Sequence, residues 1–421
     1  MKVSLWAVGG ILSLALTNAR GVTWQKPDIT VAADGSGDFK TVQTAVASLP
    51  KNNRERKLIL IKDGVYHEKV RVDASFVTLR GQTRAGTRLE FAQLEDDFQK
   101  TNDSLGVAVV NLNGNDLVLE NLTAQNTAGV IGPHEFTVFA KGDRTVLLNC
   151  DLLSAGADTV AMWPVKSNRC YYSGCKFRGA SDFVCPRGWC YATDCSFYSV
   201  KATAAVWHDG SKNKDMKFVM RNCNFDGAEG WYLGRHHLDA QFYFLDCKFS
   251  KSMTDRAPLR VTYPDDPKRT AALDKSNIWG ERSYFYQSHR EGGDYEWHKD
   301  NISSAPDCPG PDKINAAWTF GEKWNPEKTA GPAIERIDSN RGTIALVFDE
   351  VVTVKGKPRL VLENGTFADY ASGSGLHTIQ FHTSGDAPAA VKSIDLNGGA
   401  ILATGASATL RMAELALPAK K

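Results

Sequence analysis

Five short segments of the chain share one pattern of polar and apolar positions. They are "LLNCDL" at Cys150, "YSGCKF" at Cys175, "ATDCSF" at Cys195, "MRNCNF" at Cys223 and "FLDCKF" at Cys247. Each reads as a turn-forming residue, a cysteine, a polar residue and an apolar one. The cysteines are 25, 20, 28 and 24 residues apart. An earlier unit, "LVLENLTAQN", carries Leu122 where the others carry Cys. A recurrence of this length marks a solenoid. The two-residue step from Cys to the apolar position is the period of a strand, so both side chains point the same way. Stacked in register, the five cysteines form an internal ladder of small buried thiols. The strands are short, rich in Val, Phe, Leu and Tyr, and separated by Gly/Asn/Asp turns. The pattern predicts an all-β fold built on a parallel β-helix.

The flanks of this repeat read differently. Thr41, Val42, Ala45, Val46 and Leu49 form the apolar stripe of a helix over about 40–49, ended by Pro50. It is placed to cap the N-terminal end of the solenoid, whose strand edges would otherwise be open. "KLILIKDGVYHEKVRV" follows as two strands around a turn. Beyond about residue 250 the repeat fades. The segment 255–327, rich in Trp, Tyr, Pro and charge, is expected to wrap the outside and the C-terminal end. "TAGPAIE" at 329–335 reads as a linker. From there to residue 421 there is no Cys or Trp, and strands such as "GTIALVFDE", "PRLVLENG" and "HTIQFH" alternate. That composition predicts a small immunoglobulin-like β-sandwich.

The N-terminus, "MKVSLWAVGGILSLALTNARG", has a basic start, a short apolar run and small residues near Ala19. It predicts a signal peptide over 1–22 and a secreted protein, extracellular or periplasmic. The apolar run is short for a membrane span, and no cysteine near the cleavage site suits a lipoprotein. The domains expected are thus a signal peptide (1–22), the β-helix (23–328) and the small β-sandwich (329–421).

Composition adds little beyond ordinary globular character: 42% hydrophobic and 23% charged residues. Fifty basic residues against 48 acidic ones leave a net charge of +2. No strong field selects a nucleic acid or a membrane, and a polyanionic substrate remains compatible. One cysteine per coil and an odd total of nine favour mostly free thiols over a disulfide framework. A local Cys185–Cys190 pair stays open, and no spacing suits a zinc site.

Two acids stand in apolar frames, Asp158 in "SAGADTVAMW" and Asp182 in "RGASDFVCPRGWC". Asp158 follows Cys150 by eight residues and Asp182 follows Cys175 by seven, so stacking brings them side by side. Neighbouring carboxylates resist ionising together, which leaves one protonated and one anionic. The anion can attack a carbonyl and the acid can protonate a leaving group. The plainer alternative is that both cap solenoid turns.

Six blocks bear on that choice: "DGSGDFKTVQTAV", "DGVYHEKV", "LENLTAQNTAG", "GADTVAMW", "GASDFV" and "YLGRHH". In this order they resemble the pectin methylesterases, a carbohydrate esterase family, over roughly residues 25–325. The resemblance implies a right-handed parallel β-helix that hydrolyses methyl esters of pectin, a polygalacturonate, without a metal or other cofactor. It implies Asp182 as nucleophile, Asp158 as acid/base and Arg235 as the partner that keeps Asp182 ionised and aimed. Four departures stand out. Ala157 replaces a glutamine before Asp158, and His134 falls where the family has another; these two usually support the oxyanion. His237 replaces an aromatic, and "VCPRG" replaces the usual tail of the Asp-Phe block. A lost oxyanion donor costs on the order of 10²–10³ in rate, so His134 is assigned that role, with Glu135 the alternative if the alignment slips by one.

Trp163, Phe183, Trp231 and His237 are the candidates for sugar binding. "WHDG" (207–210) and "WGERSYFY" (279–286) are candidate rims of the same groove. The rival functions are an esterase of the same scaffold on another substrate (a branched pectic polymer, an acetyl ester or a thioester) and a non-catalytic polysaccharide-binding β-helix. A polysaccharide lyase would want a Ca²⁺-binding acidic cluster, which the sequence lacks. The expected partner is acidic plant-type polysaccharide, with no nucleic acid or membrane, and the expected state is a monomer.

Overall fold

The computed structural model describes residues 27–163, 167–211, 213–327, 334–385, 390–397 and 399–403. The signal-peptide reading and most of the linker reading fall outside them.

Three parallel sheets of ten, eight and nine strands run the length of the main body, each joining strands one coil apart. This is the β-helix the repeat predicted. Its most regular corner lies between the first sheet and the nine-stranded one. There a single residue with left-handed φ turns the chain: Asn121, Asn149, Gly174, Asp194, Asn222, Asp246 and Gln287. Short polar side chains tolerate that conformation because they hydrogen-bond locally. Asn149 Nδ2 donates to Asn121 Oδ1 at 2.8 Å, one coil to the next.

The residue after each corner points inward. Leu122, Cys150, Cys175, Cys195, Cys223 and Cys247 are all at most 1% exposed. Two residues on, the register Leu152↔Phe177↔Phe197↔Phe225↔Phe249 forms a second column. The Phe177–Phe197 and Phe197–Phe225 ring centroids are 5.1 and 4.4 Å apart. Offset or tilted stacking of this kind adds to burial, so each coil templates the next. All nine cysteines are free, Cys185 and Cys190 included.

The capping helix spans Val42–Ala47, with Thr41 as its N-cap and Val42, Ala45 and Val46 buried. Glu68 accepts from the Val42 and Gln43 amides, at 2.8 Å each, and so ties the cap to the first coil. Three strands follow where two were read: Lys57–Ile61, Gly64–Tyr66 and Val70–Val72. The solenoid also outlasts its sequence signal by one coil. Leu259–Arg260, Ser283–Tyr286 and His289–Arg290 extend the three sheets, with Ser288 standing in the cysteine column. The signal disappears because helix Pro267–Asp274 interrupts that coil. The wrapping segment covers the outer face of the ten-stranded sheet. Ile302, Ile314, Phe320 and Trp324 pack there on Tyr171, Tyr191, Tyr243 and Tyr284.

Residues from 334 onward form seven antiparallel strands joined in one hydrogen-bonded sheet, with a core of their own around Leu346, Phe348, Leu360, Ile379 and Phe381. The long strand Thr343–Lys355 shifts register between Val347 and Val352 and changes partners there. The unit touches the β-helix near its N-terminal end, where the Arg56 amide donates to Thr353 Oγ1 at 3.3 Å.

Candidate active site

Asp158 and Asp182 sit where consecutive coils turn from the nine-stranded into the eight-stranded sheet. Val160 pairs with Val184, so two residues earlier Asp158 and Asp182 are in register. The ladder runs through the corner: the Asp158 amide donates to Ser181 O at 3.0 Å and the Asp182 amide to Ala204 O at 2.8 Å. Both acids take left-handed φ, 56° and 51°. Aspartate bears that conformation better than most residues. It turns the two carboxylates outward into a shared cleft, where each residue is only 6% exposed.

Arg235 arrives from the coil beyond the next one. The register Val184↔Val206↔Gly234 sets Arg235 above Trp207. Its guanidinium crosses the Trp207 ring at 5.7 Å and reaches Asp182, with Nε to Oδ1 at 3.0 Å and Nη2 to Oδ2 at 2.7 Å. Burial pushes the Asp182 carboxyl up to about 7, against the pull of Arg235, and the Asp158 charge adds to the rise.

His134 lies one coil to the other side, bridged to Ala157. Its Nε2 is 3.0 Å from Asp158 Oδ2 and its Nδ1 is 2.6 Å from Glu95 Oε2. These partners, Asp158 first, raise the imidazole to about 9. Glu135 turns the other way. Fully buried, it accepts from the Ala155 and Gly156 amides at 3.0 and 3.1 Å, and from the Val130 amide. It is a loop clamp, and His134 is the residue that faces the cleft. Ala157 offers no side-chain donor.

The cleft holds about 450 Å³ and is lined by His134, Asp158, Trp163, Asp182, Arg187, Trp207, Arg235, His237 and Tyr263, among others. Trp163 also lines an adjoining hollow of about 280 Å³ that carries Arg71 and Lys141. Of the four sugar-binding candidates, Trp163 and His237 therefore face the groove. Phe183 and Trp231 do not, which corrects the sequence reading. Phe183 follows Asp182 around the corner and points inward, 6.4 Å from Phe197. Trp231 is wholly buried against Phe225, and its Nε1 donates to Ser250 and Ser252 at 3.1 Å each. No residue of the segment 279–286 lines the cleft, and Ser283–Tyr286 is the last strand of the ten-stranded sheet.

Sequence reasoning passed over Arg187, Tyr263 and Glu95, and gave Trp207 only as a candidate rim. The Trp207 ring has two guanidiniums near it, Arg187 at 5.6 Å and Arg235 at 5.7 Å. Arg187 is paired with Asp209, which also accepts from the His237 and Leu238 amides at 3.0 and 2.8 Å. Tyr263 bonds His237 and stacks on Arg269 at 3.5 Å. The usable signal was the register itself: carried one coil on from Val184, it sets Trp207 beneath Arg235. No group of three or more His, Cys, Asp or Glu able to hold a metal occurs among the described residues. Nor is any described helix long and apolar enough to cross a membrane.

The family model described as Pectinesterase matches residues 28–241. "Pectinesterase/pectinesterase inhibitor 3" of Arabidopsis thaliana is 36% identical over 176 residues, 41% of this chain and 28% of that protein. "Pectinesterase" of Daucus carota is 33% identical over 175 residues, 41% of this chain and 53% of that one. The aligned part thus spans between about a quarter and about half of these relatives. The solved pectin methylesterase from carrot superposes with a TM-score of 0.54 at 21% identity, covering 72% of this chain and 97% of that one. The pectin methylesterase of Erwinia chrysanthemi gives 0.57 at 18%, covering 71% and 98%. At those identities the likeness is one of fold.

Proposed function

Because the chain belongs to the pectinesterase family, we propose that it is a carboxylic ester hydrolase that removes methyl esters from pectin-type polygalacturonate. One observation carries the reading: two stacked carboxylates share a cleft, and only Asp182 is held by a bidentate arginine. That asymmetry supports Asp182 as the anion that attacks and Asp158 as the partner in proton transfer. Asp182 Oδ adds to the ester carbonyl, methoxide leaves with a proton, and an aspartyl anhydride forms. Water then adds to the anhydride, its proton returns to the Asp158 side, and Asp182 is released. His134 stands where the family has an oxyanion glutamine, but both its ring nitrogens are on carboxylates, so its role is on Asp158 and not on the oxyanion, while Trp163 and His237 contact the sugar chain. A fold relative solved as a pectin methylesterase with a hexasaccharide supports an extended carbohydrate ligand. The N-terminal apolar segment supports export, and residues 329–421 read as a separate appended module. Arg187, Ala157 and His134 together favour one second reading, the same chemistry on a differently esterified pectic polymer.

Methanol release from methylated homogalacturonan by the wild type and by Asp182→Asn is the test. Release that vanishes in the variant supports the reading. No release by the wild type from this or any other esterified polysaccharide would overturn it.

A further inference from the structure

We infer that Glu95 is a positioning residue that fixes His134 against Asp158, so that Glu95, His134 and Asp158 act as one proton-holding unit. This rests on the ester-hydrolase reading of the same cleft. Glu95 opens the short helix Glu95–Thr101, in the segment "QLEDDFQK", which carries no motif. It holds His134 twice. Its amide donates to the His134 carbonyl at 3.1 Å, and its carboxylate lies 2.6 Å from Nδ1. The ring is then confined by Phe136, stacked at 5.7 Å, and by the edge of Trp163 at 5.2 Å. With Nδ1 committed to Glu95, Nε2 is left facing Asp158 Oδ2 at 3.0 Å.

A ring with an ionised carboxylate on each nitrogen satisfies both only as a double donor, the imidazolium form. The upward shift of His134 to about 9 agrees with this. The proton needed by the departing methoxide is therefore stored on the imidazole and released through Asp158. As the Asp182 Oδ–C bond forms and the C–OCH₃ bond breaks, methoxide becomes methanol and His134 becomes neutral. Water attacking the anhydride returns one proton to the unit. The charged groups facing the ring are Glu95 and Asp158. The same cleft also holds Asp182, Arg187 and Arg235. Glu135 is engaged by backbone amides.

The experiment follows the imidazole of His134 by NMR titration and the pH profile of methanol release, in the full chain. The variants are Glu95→Gln, Glu95→Asp, His134→Gln and the double variant Glu95→Gln/His134→Gln. Glu95→Gln is expected to lower the titration midpoint of His134 by about one pH unit. It should move the alkaline limb of kcat down by the same amount, with KM changed by less than about twofold. Glu95→Asp, which keeps the charge, should retain most of the wild-type profile. In the His134→Gln background, Glu95→Gln should add no further loss. A midpoint unmoved by Glu95→Gln, or an equal loss in both backgrounds, would overturn the assignment. Absent methanol release in the wild type sinks the ester reading alone, because the titration still decides whether Glu95 governs His134.

Discussion

Arg235 spans a full intervening coil to grip Asp182, and the ring it crosses on the way, Trp207, belongs to that coil. The contact depends on correct stacking of three successive turns of the solenoid. An acid that burial would keep neutral is thereby made available as an anion near neutral pH.

Asp182→Asn is expected to lower kcat by about 10³-fold or more, as for loss of a covalent nucleophile. Its effect on stability has the opposite sign. The folded carboxyl is raised to about 7. Its stabilising contribution is thus present below the unfolded-state value and is lost as pH rises through 7. The variant should melt above the wild type at pH 8, and the difference should shrink toward pH 4. Thermal melts across that range check it.

Arg235→Ala removes the charge that holds the Asp182 carboxyl down. The acid limb of kcat/KM should move to higher pH, so the loss at pH 6 exceeds the loss at pH 8.5. Arg235→Lys keeps a charge but not the two-pronged geometry, and should fall between the two. A uniform loss at all pH values would show that Arg235 does not govern the ionisation of Asp182.

Trp231→Ala and Trp163→Ala separate interior from groove. Trp231 is fully buried, so its truncation should cost on the order of 3–5 kcal/mol and leave KM unchanged in the protein that stays folded. Trp163→Ala should raise KM for polymeric substrate with a smaller loss of stability. Denaturant melts and steady-state kinetics on both variants measure the contrast.

His134→Ala should lower turnover far more than Glu135→Ala. Glu135→Ala strands three backbone amides, at about 1–3 kcal/mol for a buried group left unpaired, and should show chiefly as a lower Tm. Equal effects on turnover would reject a part for His134 in the chemistry of the cleft.

The nine thiols are free, and eight of them are buried. A reductant should leave Tm unchanged. Burial also pushes the Cys185 thiol up, so it should stay inert to a thiol reagent in the native protein. Cys308, the partly exposed one, should react first, and denaturation should release the remainder.

The solenoid was legible because its interior repeats. A cysteine two residues before a large apolar side chain, behind an Asn, Asp or Gly, reports the corner, the strand and the inward face together. Asp158 and Asp182 were legible through the same repeat, since their offsets from Cys150 and Cys175 nearly match. Phe183 and Trp231 misled because nearness in sequence to Asp182 or Arg235 says nothing about which face a side chain takes after a corner. Glu95, Arg187 and Tyr263 were hidden for another reason. They stand outside the stacked strands, Arg187 and Tyr263 on loops and Glu95 at the start of a short helix, where no strand periodicity fixes direction. The last coil escaped notice because a helix divides it, and Ser288 replaces the thiol.

Seven successive coils turn their first corner on one residue, which makes that corner a fixed hinge line along the whole molecule. Variation in coil length is then confined to the other two edges. Asp158 and Asp182 stand on one of them, as does the excursion between Thr87–Phe91 and Val110–Leu112 that delivers Glu95. Residues added or removed there would redraw the edge that carries the two carboxylates and leave every interior column in step. The architecture thus separates inheritance of the scaffold from tailoring of its working edge.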